Sequence, residues 1–119
     1  MTASVTQGEP NSFRVRHTDS QALAVSGVVK ASGGVFYEIN GYNGSASTRY
    51  VHIYNSATVP ADTAIPACVP ITVPPFGVFS LSFEHGFQCG AGISWASSTT
   101  LQTKTVSGTP DVWTTITYR

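Results

Sequence analysis

The sequence predicts an all-β protein, a sandwich of about eight antiparallel strands, on three observations. Val, Thr, Ile, Tyr and Phe are plentiful, whereas the helix-favouring residues Leu, Lys, Glu, Gln and Met are scarce. Apolar and polar residues alternate in many short segments, as they do in half-buried strands. Eleven glycines and seven prolines break up these segments, and the resulting strand spacing of roughly 8–12 residues is typical of a sandwich or barrel.

The first 20 residues differ from the rest of the 119-residue chain. Residues 1–12 are polar and have no periodicity, whereas residues 13–17 (Phe-Arg-Val-Arg-His) alternate. We therefore interpret residues 1–20 as an N-terminal arm or an added edge strand. Residues 21–119 have the size of one domain and are predicted to form a single β-sandwich.

Two strands are predicted in the first half of that domain. In the first, Val35, Tyr37 and Ile39 are expected to share one face, with Glu38 and Asn40 on the other. The second strand lies in residues 50–54, where two apolar residues alternate with an aromatic face that we expect to be half exposed. Between them, Asn43-Gly44 indicates a tight hairpin turn, because such turns need residues that tolerate positive φ.

The second half of the domain contains the strongest strand signal, in residues 79–83, where three apolar residues alternate with serines. Pro70 lies in another alternating segment, residues 69–73. Since proline cannot donate to a sheet, that segment is predicted to be an edge strand or a bulge. Residues 87–95 carry one continuous apolar face, and the final strand turns Trp113 away from the core. Two packed four-stranded sheets, a jelly roll, fit this count of strands best.

Charge and hydropathy exclude several partners. Charged residues make up 10% of the chain, against about 25% in typical soluble domains, and the net charge is zero. Nucleic acid and anionic membrane surfaces attract excess cationic charge, so neither is an expected partner. No stretch approaches the roughly 20 apolar residues of a membrane span. The N-terminus lacks the pattern of a secretory signal, so synthesis in the cytoplasm is expected.

The two cysteines, Cys68 and Cys89, are predicted to be reduced. Cys89 lies on an apolar face at strand spacing, where a free thiol behaves as a small hydrophobe. Two cysteines are too few for a disulfide-dense secreted domain.

No pattern in the sequence indicates catalysis, so an enzyme is not expected. Of the six carboxylates only Glu38 and Glu84 fall on predicted strands, and both are on polar faces rather than paired across a cleft as in glycosidases. His17, His52 and His85 are more than 30 residues apart and form no metal-binding motif. We therefore predict no catalytic residue, no metal ligand and no cofactor.

Aromatic residues are the one enriched type that suits a function. Tyr and Trp are favoured at interfaces because they combine an apolar ring with a hydrogen-bonding group. Tyr50 and Tyr54 share a face opposite the predicted core residues and are the best surface candidates. The predicted interface residues are Phe13, Arg14, Arg16, Tyr50, Tyr54 and Trp113.

Several segments together resemble the small virion proteins of tailed double-stranded-DNA bacteriophages. The segments that carry the resemblance are residues 30–43, 49–54, 69–75, 79–83 and 92–100, within a similarity covering roughly residues 27–118. Such proteins include capsid cement or decoration proteins, often trimers with a jelly-roll core and an N-terminal arm. The resemblance implies a homotrimer in the virion that binds the major capsid protein, or another virion protein, and stabilises the head shell.

Other functions remain open. A carbohydrate- or receptor-binding sandwich of a phage tail, baseplate or head fibre would also be low in charge and free of catalytic residues. An enzyme ranks third, because paired carboxylates and clustered histidines are missing from the sequence.

Overall fold

The computed structural model describes residues 15–119, and in this range it contains eight strands and no helix. The strands are β1 (Arg16–Asp19), β2 (Ser26–Lys30), β3 (Gly34–Asn43), β4 (Arg49–Asn55), β5 (Ile71–Val73), β6 (Val78–Cys89), β7 (Ile93–Ser98) and β8 (Val112–Tyr118). No helix of the described residues is long and apolar enough to cross a membrane.

The strands form two four-stranded antiparallel sheets. Sheet I has the order β1-β8-β3-β6 and sheet II the order β2-β7-β4-β5. Strands whose numbers add up to nine are always paired: β1 with β8, β2 with β7, β3 with β6, and β4 with β5. This nested pairing is that of one long hairpin folded over into two layers. The predicted jelly-roll sandwich is confirmed.

The core lies between the two sheets. Both sheets contribute to it, with Phe36 and Ile39 from β3 facing Val51 and Ile53 from β4. Each such side chain stabilises the fold by about 1.5–3 kcal/mol when it is fully buried. The predicted alternation in β6 is confirmed, since Phe79, Leu81 and Phe83 pack against this core while the intervening residues are exposed.

The strand after Pro70 is confirmed as an edge strand. β5 lies at the end of sheet II and, within residues 15–119, pairs only with β4. β1 likewise lies at the end of sheet I, so Arg16–Asp19 are the edge strand of that sheet. Residues 1–14 lie outside the described residues.

The prediction that Val35, Tyr37 and Ile39 share one face of β3 is wrong for the first two residues. Phe36 is buried there, whereas Val35 and Tyr37 are only half-buried. The reason is a bulge in the pairing of β3 between Phe36 and Glu38. A bulge inserts an extra residue, so the alternation before it is out of phase with the alternation after it.

The predicted hairpin turn at Asn43-Gly44 is also wrong. Neither residue has a positive φ, and β3 and β4 lie in different sheets. Asn43 instead fixes the corner between the sheets. Its buried side-chain amide donates to the carbonyls of Ser47, Val73 and Pro74, and its Oδ1 accepts from the N–H of Ser45.

The apolar face predicted over residues 87–95 belongs to two strands. β6 ends at Cys89 in sheet I and β7 begins at Ile93 in sheet II, so the chain crosses between the sheets and leaves Ala91 exposed. Both cysteines are free thiols, as predicted. Burial, and to a lesser extent neighbouring Cys89, raises the pKa of Cys68 to about 11, so this thiol is not activated for reaction.

Candidate binding surface

Four ionisable side chains of the described residues form two ion pairs that join distant parts of the chain. No group of three or more His, Cys, Asp or Glu side chains in that range is arranged to hold a metal ion. Arg49 donates to Asp111 at 2.8 Å, and Lys104 donates to Asp62 at 2.9 Å. Burial opposes ionisation of Asp111, but hydrogen bonds from Thr109, Ser107 and Arg49 outweigh it and lower its pKa.

Two loops cover the outer face of sheet II. The loop between β4 and β5 and the loop between β7 and β8 bind each other through backbone hydrogen bonds, from Thr63 N to Lys104 O and from Lys104 N to Ala64 O. Beneath them, His52 Nδ1 lies 2.9 Å from the Tyr54 hydroxyl, and His52 Nε2 lies 3.2 Å from the Thr100 carbonyl.

The surface position predicted for Tyr54 is therefore wrong. Its side chain is 2% exposed, whereas Tyr50 on the same face is half-buried. Burial, followed by the charge of Asp62, raises the pKa of the Tyr54 hydroxyl. The Tyr54 hydroxyl therefore makes a hydrogen bond inside the protein, and the side chain is not available for binding at the surface.

The outer face of sheet I carries a row of exposed apolar side chains at one end. Tyr42 of β3 pairs in register with Trp113 of β8 on one side and with Val78 of β6 on the other. Side chains that are directly opposite on neighbouring antiparallel strands point to the same face. The exposed fractions are 38% for Tyr42, 40% for Trp113 and 80% for Val78. We call these three residues the apolar row.

Phe76 extends the exposed apolar surface beyond the start of β6. It is exposed, and its N–H donates to the Ser45 carbonyl in the loop that follows β3. Its φ is +55°, a left-handed conformation that is uncommon for a residue other than glycine.

Polar side chains occupy the next positions on the same face. Asn40 pairs in register with Thr115 and Ser80, and Thr115 pairs with Asp19 at the sheet edge. The Gln21 N–H and the Thr115 hydroxyl bind the Asp19 carboxylate, with a weaker contribution from the Trp113 side chain, and together they lower its pKa. The polar positions on this face thus directly adjoin the apolar row.

The structure does not bring the predicted interface residues together. Arg16 is exposed and pairs with Tyr118, at the end of β8 opposite to Trp113. Tyr50 and Tyr54 lie in the other sheet. Phe13 and Arg14 lie outside the described residues. Trp113 alone lies in the apolar row, and its predicted outward orientation is confirmed.

Sequence reasoning missed Tyr42, Val78 and Phe76. A signal for Tyr42 was present, because it continues the outward alternation of Glu38 and Asn40. Val78 and Phe76 follow a Pro-Pro turn, where apolar residues give no indication of which side they face.

Comparison with known protein families, curated proteins and solved structures finds no match for this chain.

Proposed function

We propose that this protein is a virion structural protein of the capsid cement or decoration type, which binds and stabilises the head shell. The observation that carries the proposal is the apolar row at one end of the exposed face of sheet I. An exposed sheet face with apolar side chains at one end and short polar side chains beyond them suits attachment to another protein surface.

The composition of this face supports a protein partner. Aromatic residues are enriched at the centres of interfaces and are surrounded there by polar groups. Tyr42 and Trp113 provide the rings, and Asn40, Thr115 and Ser80 provide hydrogen-bonding side chains on the same face. A surface with so few charges binds through apolar contacts and hydrogen bonds.

The resemblance to phage virion proteins supports the remaining part of the proposal. It supplies the major capsid protein, or another virion protein, as the partner, and the trimer as the oligomeric state. The jelly-roll topology agrees with this assignment because capsid domains use the same framework, although the fold serves many other functions.

The test uses particles of a phage that lacks the gene for this protein. These particles are incubated with purified full-length protein. We expect the double variant Tyr42→Ala/Trp113→Ala to bind these particles at least about 30-fold more weakly, since an interface hot spot contributes 2 kcal/mol or more. Ile65→Ala is the matched control, because Ile65 is an exposed apolar residue in the β4–β5 loop of sheet II. Equal binding by the double variant and the control would contradict the proposed surface.

Particles lacking the protein should lose resistance to heat while they remain infectious under mild conditions. Added salt should weaken attachment only slightly, because ions screen mainly exposed charges. Particles that keep their stability but no longer adsorb to host cells would instead favour the carbohydrate- or receptor-binding module.

A further inference from the structure

A groove of about 200 Å³ opens between β1 and β2, the edge strands on the same side of the two sheets. Its lining mixes apolar and polar groups and includes Thr18, Asp19, Ser26, Val28, Trp95 and Thr114. The groove is smaller than the roughly 300–1,000 Å³ sites that hold drug-sized ligands. It therefore fits one small ring at a time.

Two nearly buried side chains form the floor of the groove. Trp95 is 3% exposed and Thr114 is 2% exposed. Trp95 pairs in register with Gly27 of β2, and a Cβ on Gly27 would lie 2.9 Å from the indole Nε1. The absence of a side chain at Gly27 thus lets the indole lie over β2, with its N–H at the open side of the sandwich.

The floor has unused hydrogen-bonding groups. Within the described residues, neither the Trp95 indole N–H nor the Thr114 hydroxyl has a hydrogen-bond partner, and Ser97 Oγ is the one unpartnered side-chain atom there that is sealed from solvent. The Trp95 and Thr114 groups therefore reach the open space of the groove. A ligand with matching groups would give both of them hydrogen-bond partners.

The walls complete a site for a neutral, hydroxyl-rich ligand. Val28, Val29 and Ala24 supply an apolar side, while Thr18 and Ser26 supply polar groups. Among the described residues, neither lysine nor arginine lines the groove, so the described lining does not favour an anion.

We propose that this groove binds a single sugar residue of a neutral glycan. The apolar wall would contact the C–H groups of the ring, and the indole N–H and the Thr114 hydroxyl would bind its hydroxyls. The site goes beyond attachment to the head shell and does not depend on it, because the apolar row lies on a different part of the molecule.

The experiment follows the indole N–H signals of the ¹⁵N-labelled full chain by NMR. The chain has two tryptophans, and the variant Trp113→Phe assigns the remaining signal to Trp95. The probes are the methyl glycosides of glucose, galactose, mannose and N-acetylglucosamine, each titrated to about 50 mM, a range suited to millimolar affinity. We expect the Trp95 signal to shift saturably with at least one of them.

Thr114→Val keeps the side-chain shape and removes the hydroxyl, and we expect it to weaken binding about tenfold. Gly27→Ala tests the same site without removing a polar group, because its new Cβ displaces the indole. Thr117→Val is the matched control, since Thr117 lies on the same strand but outside the groove. Failure of every glycoside to shift Trp95, or a shift of Trp113 alone, would overturn the proposal. Either result would leave the particle-binding test unaffected.

Discussion

At the scale of single residues, the hydrogen bonds of the buried His52 determine which of its ring nitrogens carries the proton. The Thr100 carbonyl only accepts, so His52 Nε2 carries the proton and Nδ1 accepts from the Tyr54 hydroxyl. Burial lowers the pKa of His52 and outweighs the hydrogen bonds to the backbone at Thr100 and Leu101, which raise it, while the charge of Lys104 adds a smaller lowering. The neutral imidazole is therefore the form that the fold requires.

This requirement predicts a pH dependence of stability. The unfolded state binds a proton at His52 near pH 6.5, whereas the folded state binds it only at lower pH. The free energy of unfolding should therefore be at its full value above pH 6.5 and should fall as the pH drops below it. Urea unfolding between pH 7.5 and 5.5 measures this slope. His52→Gln should flatten it and the exposed control His85→Asn should keep it; equal slopes in all three proteins would contradict the assignment.

The Arg49–Asp111 ion pair provides a second residue-scale prediction. Both side chains are mostly buried, and Asp111 also accepts from Ser107 and Thr109. Arg49→Met removes the charged donor and should lower the free energy of unfolding by about 1.5–3 kcal/mol, as measured by urea denaturation. Glu84→Gln, at the exposed pair with His85, should leave the midpoint unchanged. A loss of stability no larger in Arg49→Met than in Glu84→Gln would show that the pair is not structural.

At the scale of elements, irregular pairing of β3 and β6 decides which side chains face the core. Residues 83–86 of β6 lie opposite the single residue Tyr37, because Ser82 pairs with Glu38 and Phe87 with Phe36. Gly86 closes this bulge with a φ of +84°. Phe83 turns back to the core inside the bulge and makes an edge-to-face contact with Phe36 at 5.9 Å.

Gly86→Ala should destabilise the protein by about 1–3 kcal/mol. A Cβ there would lie 2.4 Å from Val35 Cγ1, and the left-handed conformation alone costs about 1–2 kcal/mol. Gly90→Ala is the control, because its φ is not positive and a Cβ there would meet nothing within 4 Å. Thermal or urea denaturation compares the two variants. An equal effect of both would show that the bulge adapts to a side chain.

The elements themselves were predictable, whereas their irregularities were not. The alternation of apolar and polar residues located β4, β6 and β8 because one face of each strand packs against the core. The bulge at Tyr37 escaped prediction because it depends on the partner strand. The corner at Asn43 could not be predicted either. In the sequence, an asparagine whose buried amide binds three carbonyls cannot be told apart from an asparagine in a turn.

At the scale of the whole molecule, the outer faces of the two sheets differ in how far loops cover them. Loops cover His52 and Tyr54 on sheet II, while Tyr42 and Trp113 remain exposed on sheet I. Sequence alone could place these aromatics on outward faces but could not say which face is covered, since covering depends on where distant loops fold back. The prediction that Trp113 points outward was therefore correct, whereas the prediction that Tyr54 lies at the surface was wrong.

The nested pairing of strands also determines when the fold can be completed during synthesis. Among the described strands, β1 has β8 as its only neighbour, and the Thr115–Asp19 contact between them spans 96 residues. β2 similarly depends on β7 alone. As the ribosome releases the chain, the earliest strands to emerge are therefore the last to find partners, and the innermost pair, β4 with β5, is the first that can close. Such distant pairings fold slowly, and a waiting edge strand can pair with a neighbouring chain in the meantime. The risk that this topology creates is therefore pairing between neighbouring nascent chains, more than instability of the folded sandwich.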